Sequence, residues 1–169
     1  MNLREEILKE HSKKQCSKIV DWIGSDQKRF DELFQLFLND ENKVVQRAAW
    51  PLSYCVMAHP EFIQKHWIKF IENLQKPGLH DAVKRNSIRL LQDIDIPEKY
   101  RGYVMDTCFR FLESPTEAVA VKAFSLTVLG NLSKHYPDII PELRLVIEDQ
   151  LPCQTAAFKS RAKWLLKGV

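Results

Sequence analysis

The feature that most constrains this chain is a recurrence every 37 to 40 residues. A unit that short cannot bury its own apolar face and must stack on its neighbours. Three ladders carry the recurrence. A proline followed by an acid, suited to a first helical turn, occurs at Pro60-Glu61, Pro97-Glu98 and Pro137-Asp138. Turn or breaker residues fall at Asp40-Glu41, Pro77-Gly78, Ser114-Pro115 and Pro152-Cys153. A basic residue followed by a mostly small one comes next, at Arg47-Ala48, Arg85-Asn86, Lys122-Ala123 and Arg161-Ala162. Each cycle therefore reads as a helix started by the proline, a turn, and a second helix carrying the basic residue.

The intervening segments have helical periodicity. Phe30, Leu33, Phe34, Phe37 and Leu38 fall on one helical face, as do Phe62, Ile63, Trp67, Phe70, Ile71 and Leu74 within 61–76. Segment 117–135 is apolar around most of its circumference, which predicts a helix buried between neighbours on both sides. Only 5 glycines occur in 169 residues, too few for the turns and phosphate loops of β-rich folds. Apolar content of 45% and charged content of 28% exclude a disordered chain. These observations predict a single all-α domain. Its N-terminal helical cap spans about 1–25, and four helix pairs follow at about 27–59, 60–96, 97–136 and 137–168.

This spacing resembles that of HEAT repeats over about 27–168, most clearly at Phe111-Leu112-Glu113-Ser114-Pro115-Thr116-Glu117-Ala118-Val119-Ala120-Val121-Lys122-Ala123. The resemblance implies a right-handed α-α superhelix of the armadillo type, a solenoid whose second helices line a concave surface. It also implies a non-catalytic protein-binding or scaffold module. HEAT repeats place an Asp in the turn about six residues before the Arg, and the two form a ladder. Here Asp40 or Glu41 can serve Arg47, but Gly78 and Leu79, Pro115 and Thr116, and Gln154 and Thr155 stand at the matching sites.

Charge is unevenly distributed between the two sets of helices. The second helices (42–58, 80–94, 117–135, 155–168) carry +2, +1, +1 and +4, whereas the first helices (27–40, 61–76, 98–113, 138–150) carry −1, +1, 0 and −3. If the second helices line the concave face, that face is basic through Lys43, Arg47, Lys84, Arg85, Arg89, Lys122, Lys159, Arg161 and Lys163. The expected partner is a protein with an acidic surface, in salt-sensitive association. Alternatively, Arg47, Arg85, Lys122 and Arg161 are structural groups between repeats. A nucleic acid is the second candidate partner, because Trp50 and Trp164 each follow a ladder arginine by three residues and aromatics beside cations stack bases. That arrangement resembles the DNA-alkylation-repair glycosylases, which have a catalytic carboxylate; the second helices here offer only Asp81, Asp93 and Glu117.

Other chemistry finds little support. Gly-x-Ser-x-Gly and the glycine-rich nucleotide loops do not occur, so no cofactor or enzymatic activity is expected. Cys55 and His59 share a helical face at i and i+4, but two ligands do not make a metal site, and Cys55 lies in an apolar run. Cys16, Cys55, Cys108 and Cys153 are widely spaced, as thiols in a reducing compartment are. No apolar signal segment opens the chain and no membrane span is long enough, so a cytoplasmic protein is expected. Phe158, Trp164, Leu165 and Leu166 are too many apolar groups for a polar end cap, which predicts weak self-association through the last repeat.

Overall fold

The computed structural model describes residues 1–167, which are helical with no strand among them. Backbone contacts divide the chain into two compact units, Met1–Ile94 and Asp95–Val169.

The first unit opens with two short helices, α1 (Leu3–Lys9) and α2 (Lys13–Ile23), so the N-terminal cap is a helical pair. Each begins at a residue whose side chain accepts a backbone N–H: Asn2 from Glu5 and Ser12 from Gln15. Gly24, at φ 51°, ends α2 in a conformation that L side chains rarely adopt, and its N–H reaches the Val20 carbonyl. Asp26 then caps α3 (Gln27–Asn39) by accepting from Lys28 and Arg29. The next helix, α4 (Asn42–Ala58), packs against α1, α2, α3 and α6 (Asp81–Leu91). Val44, Ala48, Ala49, Leu52 and Val56 are small or branched and fully covered, which lets four neighbours approach α4 closely. The aromatic side of the core joins Phe30 to Phe62, stacked at 4.8 Å, and Phe34 to the His66 imidazole at 4.2 Å.

Segment 61–76 is not one helix. Pro60–His66 winds as a tight 3-10 turn, and α5 (Trp67–Leu74) begins only afterwards. Pro60 has a fixed φ and no N–H to leave unpaired, which suits a first turn of either kind; Phe62 closes it with an i→i+3 bond to the His59 carbonyl at 3.0 Å. Pro137 behaves likewise, leading a 3-10 turn (Pro137–Ile139) before α9 (Ile140–Gln150). Pro97 stands outside its helix as the N-cap of α7 (Glu98–Glu113). Proline thus marks the start of three of the four cycles without sitting at the first α-helical position.

In the second unit α8 (Val119–Leu132) lies between α7 and α10 (Ala156–Lys167), and nine of its residues are buried, from Val121 to Leu132. Its apolar circumference reflects that double coverage. Gly130 allows the closest approach: a Cβ there would stand 2.9 Å from Leu165 Cδ1 of α10. A second 3-10 turn, Leu151–Cys153, joins α9 to α10. The helices therefore fall into a cap and four pairs, an all-α repeat fold.

Candidate functional site

The ladder cations face inward. Arg47, half-buried, donates from Nη1 to the Leu8 carbonyl at 2.8 Å and to that of Ile7 at 3.4 Å, closing the open C-terminus of α1. Asp40 and Glu41 do not serve it. Arg4 takes both, meeting Asp40 with Nε at 3.0 Å and Nη2 at 3.1 Å, and Glu41 at 3.3 Å. The fork of Arg4 matches the Asp40 carboxylate, while α1 offers Arg47 carbonyls that no backbone N–H fills. Lys122 is buried at 5% exposure, and its Nζ donates to Gln150 Oε1 at 2.9 Å. Burial pushes its pKa below the usual lysine value, and nearby Glu117 offsets only part of that. The Arg161 guanidinium lies 5.3 Å from the centre of the Phe124 ring. Arg85, half-buried, makes no hydrogen bond or ion pair with the described residues.

Within the first unit, Lys84 pairs with Asp81 at 3.2 Å, whereas Lys43 is exposed without an ion pair among the described residues. Arg89 lies over the ring of Tyr54 at 5.8 Å. Trp50 is half-buried, edge-on to His11 at 5.5 Å and 6.5 Å from Tyr54. Tyr54 borders a groove of about 350 Å³ between α2 and α4, together with Lys13, Ser17, Val20 and Asp21. Sequence reasoning missed Tyr54. Its signal was its place one turn beyond Trp50, concealed by the apolar residues around it.

Within the second unit, Lys159, Lys163 and Lys167 recur every four residues along α10 and spread over an arc of roughly 80° at 3.6 residues per turn. None of their ammonium groups has an ion pair or hydrogen bond among the described residues. The helix holds no acidic residue. The three lysines edge a groove of about 660 Å³ whose floor is Leu151, Pro152 and Leu166. Trp164 is 61% exposed but does not line this groove; it leaves α10 about 100° away from Lys163 and lies beside Gly130 of α8. Of the four apolar residues expected to be left bare at this end, Phe158 and Leu165 are buried within the unit and Leu166 is half-buried. Only Trp164 stands clear, because α8 covers more of α10 than a terminal helix need have covered.

The remaining candidates have local partners or none. Glu117 Oε1 accepts the Ala118 N–H at the start of α8, and Asp93 is exposed beyond the end of α6. Cys55 is 1% exposed in the core, while the His59 ring turns to Glu61 at 3.2 Å. Burial raises the thiols of Cys16, Cys55 and Cys108 to about 12. No group of three metal-ligating side chains and no helix long and apolar enough to cross a membrane occurs among the described residues.

Comparison with known proteins adds one finding. A search of curated proteins and one of solved structures each return no match. The family model described as the HEAT repeat domain matches residues 3–169, which takes in the cap as well as the four helix pairs. Family and fold support a helical-repeat scaffold or binding module, and the chain belongs to the HEAT repeat domain family.

Proposed function

We propose that this chain is a non-catalytic protein-binding module that engages an acidic protein surface. The observation that carries the reading is the charge of α10: four cations and no acid, with three of the cations in one unpaired row. A cation spent on a carbonyl or a side-chain amide, as Arg47 and Lys122 are, is not available to a partner. The α10 lysines have no such internal role, and holding three like charges in one row without a counter-charge is unfavourable until a partner supplies one. Phosphate could supply it too, but Trp164, the aromatic best exposed for stacking a base, does not line the lysine groove and stands about 100° around the helix from Lys163, with only Lys167 nearby on its flank.

The test compares the full chain with a Lys159→Glu/Lys163→Glu variant. Acidic proteins retained from nuclease-treated extract of the native host at about 50 mM salt should be lost at about 200 mM and lost in the variant, since screening weakens exposed pairs. Single- and double-stranded oligonucleotides should give no anisotropy change at the lower salt. Tight oligonucleotide binding with a steep salt slope, abolished by the same substitutions, would replace this reading with a nucleic-acid one.

A further inference from the structure

The groove beside α10 gives the partner a shape as well as a charge. Leu151, Pro152 and Leu166 form an apolar floor, and Lys159, Lys163 and Lys167 stand along one edge. Its roughly 660 Å³ opens widely to solvent, so it is a shallow surface groove suited to a macromolecular partner and not an enclosed small-molecule cavity. We infer that this groove receives an amphipathic helix of a partner protein, with apolar residues against Leu151, Pro152 and Leu166 and carboxylates against the lysine row. The inference rests on the protein-binding reading above and narrows it to one site.

Two arguments select that occupant. The first is charge complementarity: three unpaired lysines at four-residue spacing mark a line roughly 12 Å long, at 1.5 Å rise per residue, that only anionic groups relieve. The second is backbone satisfaction. An extended peptide finds no strand edge among the described residues to pair its N–H and C=O groups and would have to leave them to water or side chains. A helix meets those needs internally and presents apolar residues at i, i+3, i+4 and i+7 to the floor, with Asp or Glu on the flank. The other groove, between α2 and α4, has Lys13 and Asp21 on its border and selects no charge.

The experiment selects phage-displayed random 16-residue peptides on the full chain. Every enriched clone is then measured against Lys163→Glu and Leu166→Asp, with circular dichroism melting as the check on folding. Lys163 is exposed, so its reversal leaves the fold intact even if Leu166→Asp perturbs it. The expected result is a family of acidic peptides with apolar residues at helical spacing, each weakened tenfold or more by either substitution. Synthetic copies should gain helical ellipticity on binding and weaken several-fold between about 50 and 200 mM salt. Peptides that are basic, lack helical spacing or bind both variants unchanged would overturn the inference, as would a selection that enriches nothing. A concentration-dependent dimer in sedimentation, abolished by Leu166→Asp and indifferent to the peptides, would assign the groove to a second copy instead. If Lys159→Glu/Lys163→Glu abolishes capture of acidic proteins while Leu166→Asp does not, the groove is refuted and the protein-binding reading stands. If neither substitution matters, both fall.

Discussion

Lys122 Nζ meets Gln150 Oε1 at 2.9 Å, and Gln150 passes the contact on by donating its amide to the Leu112 carbonyl at the end of α7. One half-buried amide therefore joins three helices of the second unit. Gln154 also donates to Gln150 Oε1, at 3.2 Å, so this oxygen keeps a partner if the lysine is removed. The two ends of the contact should respond unequally. Lys122→Met removes a charge held against its desolvation and is expected to leave stability unchanged within about 1 kcal/mol, or to raise it. Gln150→Leu leaves the Lys122 ammonium and the Leu112 carbonyl unmatched and should cost about 1–3 kcal/mol. Urea unfolding of the two variants checks the asymmetry.

Arg47 should prove structural. Arg47→Ala opens the C-terminal carbonyls of α1 and is expected to cost about 1.5–3 kcal/mol, the range for a hydrogen bond to a charged group. Hydrogen exchange of the α1 and α2 amides should accelerate more than that of α6. Capture of acidic proteins should persist at a temperature where the variant is folded.

Acid should weaken the first unit through Glu6 and Asp31. Hydrogen bonds from Lys18, Lys9 and Gln15 pull the Glu6 carboxyl down from 4.5 to about 2. At Asp31 burial acts upward, but hydrogen bonds from Lys65, Gln27 and His66 together outweigh it and the pKa falls. Both groups bind protons more weakly folded than unfolded. Their contribution is complete above the unfolded values near 4 and is lost as pH falls toward 2. Melting temperature followed from pH 6 to 2 should decline over that window, with a shallower slope in Glu6→Gln.

The thiols should divide three to one. Cys153 is exposed, whereas Cys16, Cys55 and Cys108 are buried with pKa values of about 12. A thiol-exchange reagent at neutral pH should label about one equivalent in the folded protein, four in denaturant, and none quickly in folded Cys153→Ser.

Gly130 should resist enlargement. Alanine gains about 1 kcal/mol of helix propensity, but its Cβ would stand 2.9 Å from Cδ1 and 3.4 Å from Cγ of the buried Leu165, which must shift, so Gly130→Ala is expected to be close to neutral. Gly130→Val puts a branched side chain into the same contact and should cost about 1–3 kcal/mol, with α10 amides exchanging first.

Much of the fold was legible because its signals are local. The caps at Ser12 and Asp26, the breakers at Pro77-Gly78 and Ser114-Pro115, and the periodicity from Phe30 to Phe37 each act within a few residues. The nature of a proline-led turn was not legible, since Pro60 suits a 3-10 and an α first turn equally and the packing of Phe62 and His66 decides between them. Side-chain destinations were the least readable part. Arg47 lies six or seven residues from two acids and still turns to α1, because Arg4, 36 residues away from Asp40, takes them first. Tyr54 and Lys167 matter through neighbours that only tertiary structure brings together.

Three of the four ladder cations close their repeats, each in its own way: Arg47 on a helix end, Lys122 on a bridging amide, Arg161 over an aromatic ring. Arrays built from interchangeable modules repeat one joint throughout, which is why such modules can be added, removed or reordered. Here these three contacts are each fitted to one particular neighbour. A helix pair moved into another's place would arrive with a cation and no matching acceptor, so the order of these pairs within each unit is set by side chains as well as by backbone.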